Sequence, residues 1–259
     1  MNYWHKQDPQ KPLFPDIEWN RPEQKSRAGK LVILGGNPAG FAAVTQAYQT
    51  ALQTGAGQIK VLLPDSLRKH IPPQITDAVF VASNPSGGLS KEARPDIEAA
   101  MSWSDAILCV GDTGRNSETA MVYEAILRDH SQPIVITRDA IDLLKQTPQL
   151  LLEHTSHTLV VSFAQLRALL QAIYYPKIVT LSMPLPRFIE AIHKVTVTYP
   201  CTLVTFFNEQ LVVAHEGKVV TMACSSSMAL WRGETAAKAA TYLLWTPSKP
   251  FEGVSTSIL

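Results

Sequence analysis

Runs of consecutive apolar residues recur along the chain, each followed by small or polar residues. The first spans residues 31–34 and stops at Gly35 and Gly36; others span 59–63, 79–82, 106–110, 134–137 and 158–161. A strand that is buried on both faces is apolar at nearly every position, whereas a half-exposed strand alternates. These runs therefore predict the strands of a mainly parallel sheet that is covered on both sides.

Segments with apolar positions at helical spacing separate these runs. The first, 43–52, is followed by Gly55-Ala56-Gly57, residues suited to a helix C-terminus. Further helices are predicted over 118–127, 163–173, 186–194 and 234–245, and Pro247 ends the last of them. This alternation of strands and helices is typical of the α/β class.

The pattern changes after Pro176. Short strands are predicted over 178–181 and 203–207, and residues 210–215 and 218–222 alternate around Glu216-Gly217. That arrangement predicts an antiparallel hairpin at the end of the sheet. The complete prediction is a three-layer α/β/α fold with a mainly parallel central sheet and a C-terminal antiparallel hairpin, formed by a single domain over residues 29–259.

Residues 1–28 differ from the rest of the chain. Proline occurs at positions 9, 12, 15 and 22, among charged and aromatic residues, so we expect an irregular N-terminal arm. The arm carries the aromatic residues Trp4, Phe14 and Trp19. These side chains can dock either on their own domain or on a neighbouring subunit.

The composition excludes several classes of protein. With 259 residues, of which 46% are hydrophobic, the chain can bury a sizeable core. Its 23 basic and 22 acidic residues give a formal charge of +1, so neither nucleic acid nor a membrane surface is expected as a partner. The polar N-terminus does not resemble a signal peptide, and no apolar run approaches the ~20 residues of a membrane span. A cytoplasmic location is therefore predicted.

Neither disulfides nor a metal site is predicted. The three cysteines, Cys109, Cys201 and Cys224, form no CxxC pair, which argues against a disulfide framework and a thiolate zinc site. His154 and His157 have HxxH spacing, but no acidic or sulfur ligand lies at a matching distance along the chain.

Three of the predicted strands end in loops of small and polar residues. The loops are Gly35-Gly36-Asn37, Gly111-Asp112-Thr113-Gly114-Arg115-Asn116 and Thr137-Arg138-Asp139-Ala140. Because ligands bind outside the carboxyl ends of parallel strands, Asp112 can accept hydrogen bonds from a ribose there and Arg115 can bind a phosphate. The same residues also have structural explanations: a tight glycine turn, and helix caps provided by Asn116 and Asp139.

A fourth loop of small residues, 223–228, leads through Trp231, Arg232 and Gly233 into the last helix. Small residues at a helix N-terminus suit contact with phosphate or adenine. Glu234 is the carboxylate there that can act as a base. An acidic residue in a first turn also stabilises its helix without any chemistry.

The order of these motifs resembles that of the bacterial ADP/ATP-dependent NAD(P)H-hydrate dehydratases, carbohydrate-kinase-related proteins of the ribokinase-like superfamily. The segments LVILGGN and TALQTGAGQIKVLLP look like the opening of that family, AILCVGDTGRN occupies the place of its GPGLGR loop, and PIVITRDAIDLL that of its P-(V/I)-V-L-D-A-D-A-L segment. Gly114, Arg115 and Asp139 match the family. Asp112 stands where the family has glycine, and Thr137 where it has aspartate.

This resemblance implies a ribokinase-like fold, ADP or ATP with Mg²⁺ as cofactor, a nucleotide or NAD(P)H-derived ligand, and a homo-oligomer. The residues implied in binding are Gly35, Gly36, Asn37, Ala43, Asp112, Gly114, Arg115, Asp139 and Met228.

The second half of the chain departs from the family. The family's T-P-H-P-G-E turn, whose histidine contacts the hydrated nucleotide, is replaced around residues 161–165, and its K-G pair falls near Phe206 and Phe207. The terminal glycine-rich loop becomes SMALWRGET, with Glu234 in place of a phosphate-binding glycine and Thr235 in place of the catalytic aspartate. A threonine cannot act as that base, and Glu234 would repel the phosphates of a nucleotide.

Three functions are compatible with these residues. The first is a divergent NAD(P)H-hydrate dehydratase-like protein that lacks the ordinary activity and retains a nucleotide or ribose pocket. The second is an active dehydratase, a lyase, or a small-molecule kinase in which Glu234 or Asp112 serves as the base. The third is a non-catalytic scaffold for a protein partner. An activity assay separates the second from the others, and nucleotide-induced stabilisation separates the first from the third.

Overall fold

The structure, a computed structural model, describes residues 2–259. The strands are β1 (Trp4–Lys6), β2 (Lys30–Gly35), β3 (Gln58–Pro64), β4 (Ala78–Val81), β5 (Ala106–Gly111), β6 (Ile134–Thr137), β7 (His157–Val161), β8 (Thr202–Phe207), β9 (Gln210–His215) and β10 (Lys218–Ala223). The helices are α1 (Pro15–Trp19), α2 (Ala42–Thr54), α3 (Arg94–Trp103), α4 (Ser117–Asp129), α5 (Asp139–Leu143), α6 (Pro148–Leu152), α7 (Phe163–Ala172), α8 (Leu185–Thr198), α9 (Met228–Trp231), α10 (Glu234–Trp245) and α11 (Pro250–Ser257).

All ten strands belong to one sheet, in the order β1-β10-β9-β8-β7-β6-β5-β2-β3-β4. Strand β9 is antiparallel to β8 and β10, and the other pairings are parallel. The chain first builds outward from β2 through β3 to β4, then returns to the other side of β2 with β5 and builds outward in the opposite direction. The order therefore reverses between β2 and β5, where the connections leave the sheet on different sides and open a crevice.

Helices cover both faces of the sheet. Helices α3 to α8 pack on one face around a core that includes Tyr123 and Phe188, and α2, α10 and α11 pack on the other face. Strands β5 and β6 are buried at every position, which explains why their sequences are continuous apolar runs. The predicted three-layer α/β/α fold with a mainly parallel sheet and a C-terminal antiparallel hairpin is confirmed.

The N-terminal segment is more regular than the predicted irregular arm. Residues Trp4–Lys6 form β1, which pairs parallel to β10 at the edge of the sheet, and α1 begins at Pro15. Proline is compatible with a first helical turn, because the amide that it lacks has no partner there. Phe14 packs edge-on against Phe251. Trp19, in contrast, is 86% exposed, so of the two predicted alternatives its side chain does not show docking on its own domain.

Two other local predictions differ from the structure. Residues 178–181 form no strand, because only Val179 is buried while Ile178 and Leu181 are exposed. Helix α11 follows Pro247 although the sequence gives little sign of it. Its buried face includes Gly253, Ser255 and other small residues, so it lacks a continuous apolar stripe. Within residues 2–259, no helix has both the length and the apolar character needed to cross a membrane.

Candidate functional site

The crevice between β2 and β5 is closed at its base by two glycines. Gly35 pairs with Gly111 after a register shift in the ladder, and the amide of Gly36 donates to the carbonyl oxygen of Gly111 at 2.9 Å. A Cβ at Gly35 would collide with that carbonyl oxygen. The close approach of the two backbones therefore accounts for glycine at 35, independently of any ligand.

Asn37 joins the two loops above these glycines. Its side-chain amide donates to the carbonyl oxygen of Asp112 at 2.5 Å, and its side-chain oxygen accepts from the amide of Ala39 at 2.7 Å. Asn37 is buried. Both of its side-chain polar atoms thus organise the loops of the crevice.

Asp112 lies at the centre of the crevice and both its carboxylate oxygens are engaged. Oδ1 lies 2.6 Å from Nη2 of Arg138, and Oδ2 accepts from the amide of Ala43 at 3.0 Å. Ala43 is in the first turn of α2, where a free amide and the helix dipole favour an anion. The side chain of Asp112 is only 10% exposed. A ribose hydroxyl would have to compete with these protein donors.

Arg138 is the residue of this site whose role the sequence did not indicate. Besides Asp112, its guanidinium donates to the carbonyl oxygen of Trp231, so it connects the β5 and β6 loops to α9. Asp112 and Arg138 both have positive φ angles, 55° and 58°. Such angles are unfavourable for non-glycine residues and persist where the surrounding contacts impose them.

Asp139 supports the β5 loop from below. Its carboxylate accepts hydrogen bonds from the amides of Asp112 at 2.5 Å and Thr113 at 3.0 Å. The N-cap of α5 is Arg138, and Asp139 occupies the first turn. The expected capping role of Asp139 is therefore wrong, since its side chain reaches across to a neighbouring loop. Gly111 must lack a side chain here, because a Cβ would collide with Oδ1 of Asp139.

Gln165 links α7 to the same loops. With Ser162 it forms a capping box at the start of α7, and its side-chain amide donates to the carbonyl oxygen of Arg138 at 2.7 Å and to Asp142 at 2.9 Å. Residues 161–165 thus cap α7 and hold the Arg138 loop, at the place where the resembled family has its substrate-contacting histidine.

A cleft of about 610 Å³ opens beside the crevice. Its lining includes Gly114, Arg115, Asp139 and Lys145, together with the start of α4. Asn116 caps α4 by accepting from the amides of residues 118 and 119. Arg115 and Lys145 are exposed. The cleft therefore offers two cationic side chains and the positive end of the α4 dipole to an anionic group, although the acidic residues Asp139 and Asp142 also line it.

The start of α10 points at the same crevice. Gly233 is its N-cap, with φ of 83°, and lies against Val110 of β5 and the backbone of Ala43. Thr235 is buried, whereas Glu234 is half-buried. Met228 and Trp231 on the preceding α9 are about half exposed.

The two phenylalanines at the position of the family's K-G pair lie in apolar surroundings. Phe207 is fully buried and stacks on Phe188 with ring centroids 4.0 Å apart. Phe206 is half-buried and packs against the core on the opposite face of the sheet. Neither offers a charge or a hydrogen-bond donor to a nucleotide.

Tyr123 lies beneath the β5 loop and is fully buried. Burial raises its pKa well above the ordinary value, and the charges of Cys109, Asp139 and Asp112 act in the same direction. The phenol is therefore neutral over the whole range in which proteins are stable. It does not provide a base.

Known proteins resemble this chain in sequence over part of its length and in fold over nearly all of it. No family model matches. The bifunctional NAD(P)H-hydrate repair enzyme Nnr of Moorella thermoacetica is 24% identical over 122 residues, which cover 46% of this chain and 23% of that protein. The matched segment thus spans about a quarter of the relative's length.

Two solved structures share the architecture. A ribokinase-like superfamily protein from Enterococcus faecalis has a TM-score of 0.75 at 15% identity, covering 100% of this chain and 86% of that one. The fold is ribokinase-like. The ADP/ATP-dependent NAD(P)H-hydrate dehydratase of Bacillus subtilis, co-crystallised with ATP and Mg²⁺, has a TM-score of 0.61 at 13% identity, covering 97% and 87%. The resemblance to NAD(P)H-hydrate dehydratases is confirmed.

Proposed function

We propose that this ribokinase-like protein is a divergent relative of the NAD(P)H-hydrate dehydratases that lacks their ordinary turnover and retains a binding cleft for a phosphate- or ribose-bearing ligand, such as a nucleotide. One observation carries the proposal: the central carboxylate of the crevice, Asp112, is held in an ion pair with Arg138. The carboxylate of Asp112 and the guanidinium of Arg138 thus both lie in the crevice.

Mg²⁺ with ADP or ATP does not fit the residues of the crevice. Magnesium prefers carboxylate and water oxygens in an octahedral arrangement. Asp112 is committed to Arg138 and Ala43, and Asp139 to two loop amides. A magnesium ion coordinated by Asp112 would lie beside the guanidinium of Arg138, whose positive charge opposes it. No catalytic step is therefore assigned to a metal nucleotide here.

The start of α10 also lacks the groups that the reaction needs. The hydroxyl of Thr235 stays protonated at neutral pH, so it cannot act as the base that removes a proton. Glu234 places a carboxylate where the resembled family has a phosphate-binding glycine, and its negative charge opposes a phosphate at the same helix terminus. Both features support loss of turnover.

Binding is proposed instead in the cleft beside Arg115. An anionic group there would meet the side chains of Arg115 and Lys145, near the positive end of the α4 dipole. Asn37, Gly114 and Asp139 shape the wall that joins this cleft to the crevice. The site makes no use of Asp112 as a base.

The decisive experiment is a coupled assay with hydrated NADPH and either ADP or ATP. We expect no restoration of NADPH above the uncatalysed rate. Turnover at ordinary enzyme rates, about 1 s⁻¹ or more, would overturn the proposal and favour a base such as Glu234.

Binding is tested separately by thermal shift with AMP, ADP, ATP and NADP⁺. We expect at least one of them to raise the melting temperature, and Arg115→Ala to reduce that shift, because removal of the guanidinium weakens phosphate binding. The matched control is Arg187→Ala, an exposed arginine on α8. If no nucleotide shifts the wild-type protein, the binding part fails and a protein-scaffold role becomes the leading explanation.

A homo-oligomer and a cytoplasmic location are predictions of the sequence that belong to the same proposal. Light scattering coupled to size-exclusion chromatography gives the molar mass directly. A measured molar mass equal to that of one chain, 28.5 kDa from the sequence, would exclude the oligomer under those conditions.

A further inference from the structure

Three histidines meet at the edge of the sheet opposite the crevice, where the strands begin. His130 follows the end of α4, His157 is the first residue of β7, and His154 lies in the turn before it. One potential ligand atom from each lies within 4.8 Å of the others. The sequence predicted no metal site because His154 and His157 lacked a third ligand at a suitable spacing. The fold supplies it from a position 24 residues earlier in the chain.

The hydrogen bonds of two of these rings determine which nitrogens are free. Nδ1 of His130 lies 2.7 Å from the carbonyl oxygen of Gln132, and Nδ1 of His157 lies 3.1 Å from that of Leu151. A carbonyl oxygen can only accept, so each Nδ1 carries a proton. In a neutral imidazole the other nitrogen, Nε2, then bears a lone pair.

The two Nε2 atoms face each other at 2.8 Å. Two lone pairs at that distance repel unless a cation lies between them. A proton could fill this place only by making one ring an imidazolium, and His157 is fully buried while His130 is half-buried. Burial disfavours a charged ring, so the buried pair favours the neutral form, in which histidine binds metals.

We propose that His130, His154 and His157 bind a divalent transition-metal ion, with Zn²⁺ as the best match. Three neutral imidazoles with an open fourth position form a recognised zinc ligand set, and imidazole nitrogen suits zinc better than magnesium or calcium. The backbone carbonyls that hold the two Nδ1–H groups are the outer contacts that orient such ligands. Because His154 is exposed, the fourth position faces water.

The geometry requires only a small adjustment. Tetrahedral coordination with Zn–N distances of about 2.0–2.1 Å places ligand nitrogens about 3.3–3.4 Å apart. The Nε2 atoms of His130 and His157 must therefore separate by roughly half an ångström. The ring of His154 already lies alongside that of His157, with centroids 4.8 Å apart. Rotation of this exposed side chain brings its nitrogen to the ion.

The test is isothermal titration calorimetry, in which Zn²⁺ is added to the full chain. Bound metal is first removed with EDTA, and the EDTA is then removed. The titration uses a Cys224→Ser background, since that half-buried thiol can bind zinc by itself. We expect one ion per chain. His154→Ala should lower the affinity for Zn²⁺ at least tenfold. Because His154 is exposed, this substitution should not unfold the protein, so lost affinity would report a lost ligand. His70→Ala, which removes another exposed histidine, should leave the affinity unchanged.

A second readout reports the coordination directly. Co²⁺ in a tetrahedral site absorbs visible light strongly, and we expect this absorption in the parent protein but not in His154→Ala. Saturation with Zn²⁺ at about 100 times its dissociation constant should raise the melting temperature by about 5–10 °C. Equal binding by His154→Ala and its parent, or the absence of saturable binding, would overturn the site. The site lies away from the crevice, so either result is independent of the proposed function.

Discussion

Arg138 shows how strongly the crevice depends on single side chains. Its guanidinium contacts residues 26 positions before it and 93 positions after it, and its backbone carbonyl accepts from Gln165. Its Nε is buried and has no hydrogen-bond partner among the described residues. This one residue thus connects two loops, those after β5 and β6, with two helices, α7 and α9, and its ion pair with Asp112 lies within the crevice.

The ion pair can be measured by a double-mutant cycle. Arg138→Met leaves the carboxylate of Asp112 without its cation, and we expect the free energy of unfolding to fall by about 1–3 kcal/mol. Asp112→Asn removes the charge that is left unpaired. The double variant should therefore lose less than the sum of the two single variants, as measured by urea unfolding. Strict additivity would show that the pair contributes no coupling.

Gly111 is constrained by both its backbone and its surroundings. At φ of 96°, an added Cβ would also meet the carboxylate of Asp139. We expect Gly111→Ala to lower the free energy of unfolding by about 2–4 kcal/mol, from the unfavourable backbone angle and the overpacking. Gly40→Ala is the matched control, because its Cβ would have only ordinary contacts. A change of less than about 0.5 kcal/mol is expected there.

His215 should make stability depend on pH. Burial lowers its pKa, with Lys218 acting in the same direction and Glu216 and Glu252 opposing. As the pH falls below about 6.5, the unfolded chain binds a proton that the folded chain does not, so stability present above that pH is lost toward the lower folded-state pKa. For this one group the slope is at most about 1.4 kcal/mol per pH unit.

We expect His215→Gln to flatten the loss of stability between pH 6.5 and 5, measured by urea unfolding with EDTA present. His130 and His157 also have lowered pKa values, so part of the slope should persist. An unchanged slope in the variant would contradict the role of His215.

At the scale of elements, the N-terminal strand protects an edge of the sheet. The amide of Val219 donates to Tyr3, that of Gln7 donates to Thr221, and the indole of Trp4 donates to the hydroxyl of Thr221. The side chain of Gln7 also reaches the carbonyl oxygen of Ser255 in α11. Without β1, strand β10 would present its unpaired backbone to solvent.

Deletion of residues 2–8 should therefore lower the free energy of unfolding by about 2–3 kcal/mol and increase aggregation through the exposed edge. Thermal unfolding and light scattering measure the two effects. Trp19→Ala is the control from the same segment, because this side chain is almost fully exposed. It should leave stability and aggregation unchanged.

At the scale of the whole molecule, both helix layers pack on the same sheet, one on each face. The same strands contribute alternate side chains to the two cores: Leu34 and Ile107 to one, Ile33 and Leu108 to the other. If one layer loses its packing, the apolar face that it covers is exposed, and the same strands that support the other layer are destabilised. The architecture thus favours unfolding as one unit.

We expect a single thermal transition in which the calorimetric enthalpy equals the van't Hoff enthalpy. The N-terminal segment should unfold in the same transition, because β1 belongs to the sheet. Two resolved transitions would indicate that the segment or one helix layer unfolds independently.

The sequence by itself determined the class of the fold and most of its strands. Apolar runs such as β5 arise because a doubly covered strand must be apolar at every position, and this requirement acts locally, so it can be read along the chain. The same reasoning placed α10 at residues 234–245, where its bounds are confirmed. It failed at α11 and β1, whose burial depends on distant partners rather than on a strong local pattern.

Only the tertiary structure decided how the polar residues are used. Asp112 and Asp139 were predicted as binding residues, and the structure adds that their carboxylates accept from Arg138 and from the backbone of neighbouring segments. The three histidines form a cluster because the loop after α4 lies beside the start of β7. Hydrogen bonds, ion pairs and metal ligation depend on distances of a few ångströms between atoms. Residues far apart in sequence reach those distances only after the chain has folded.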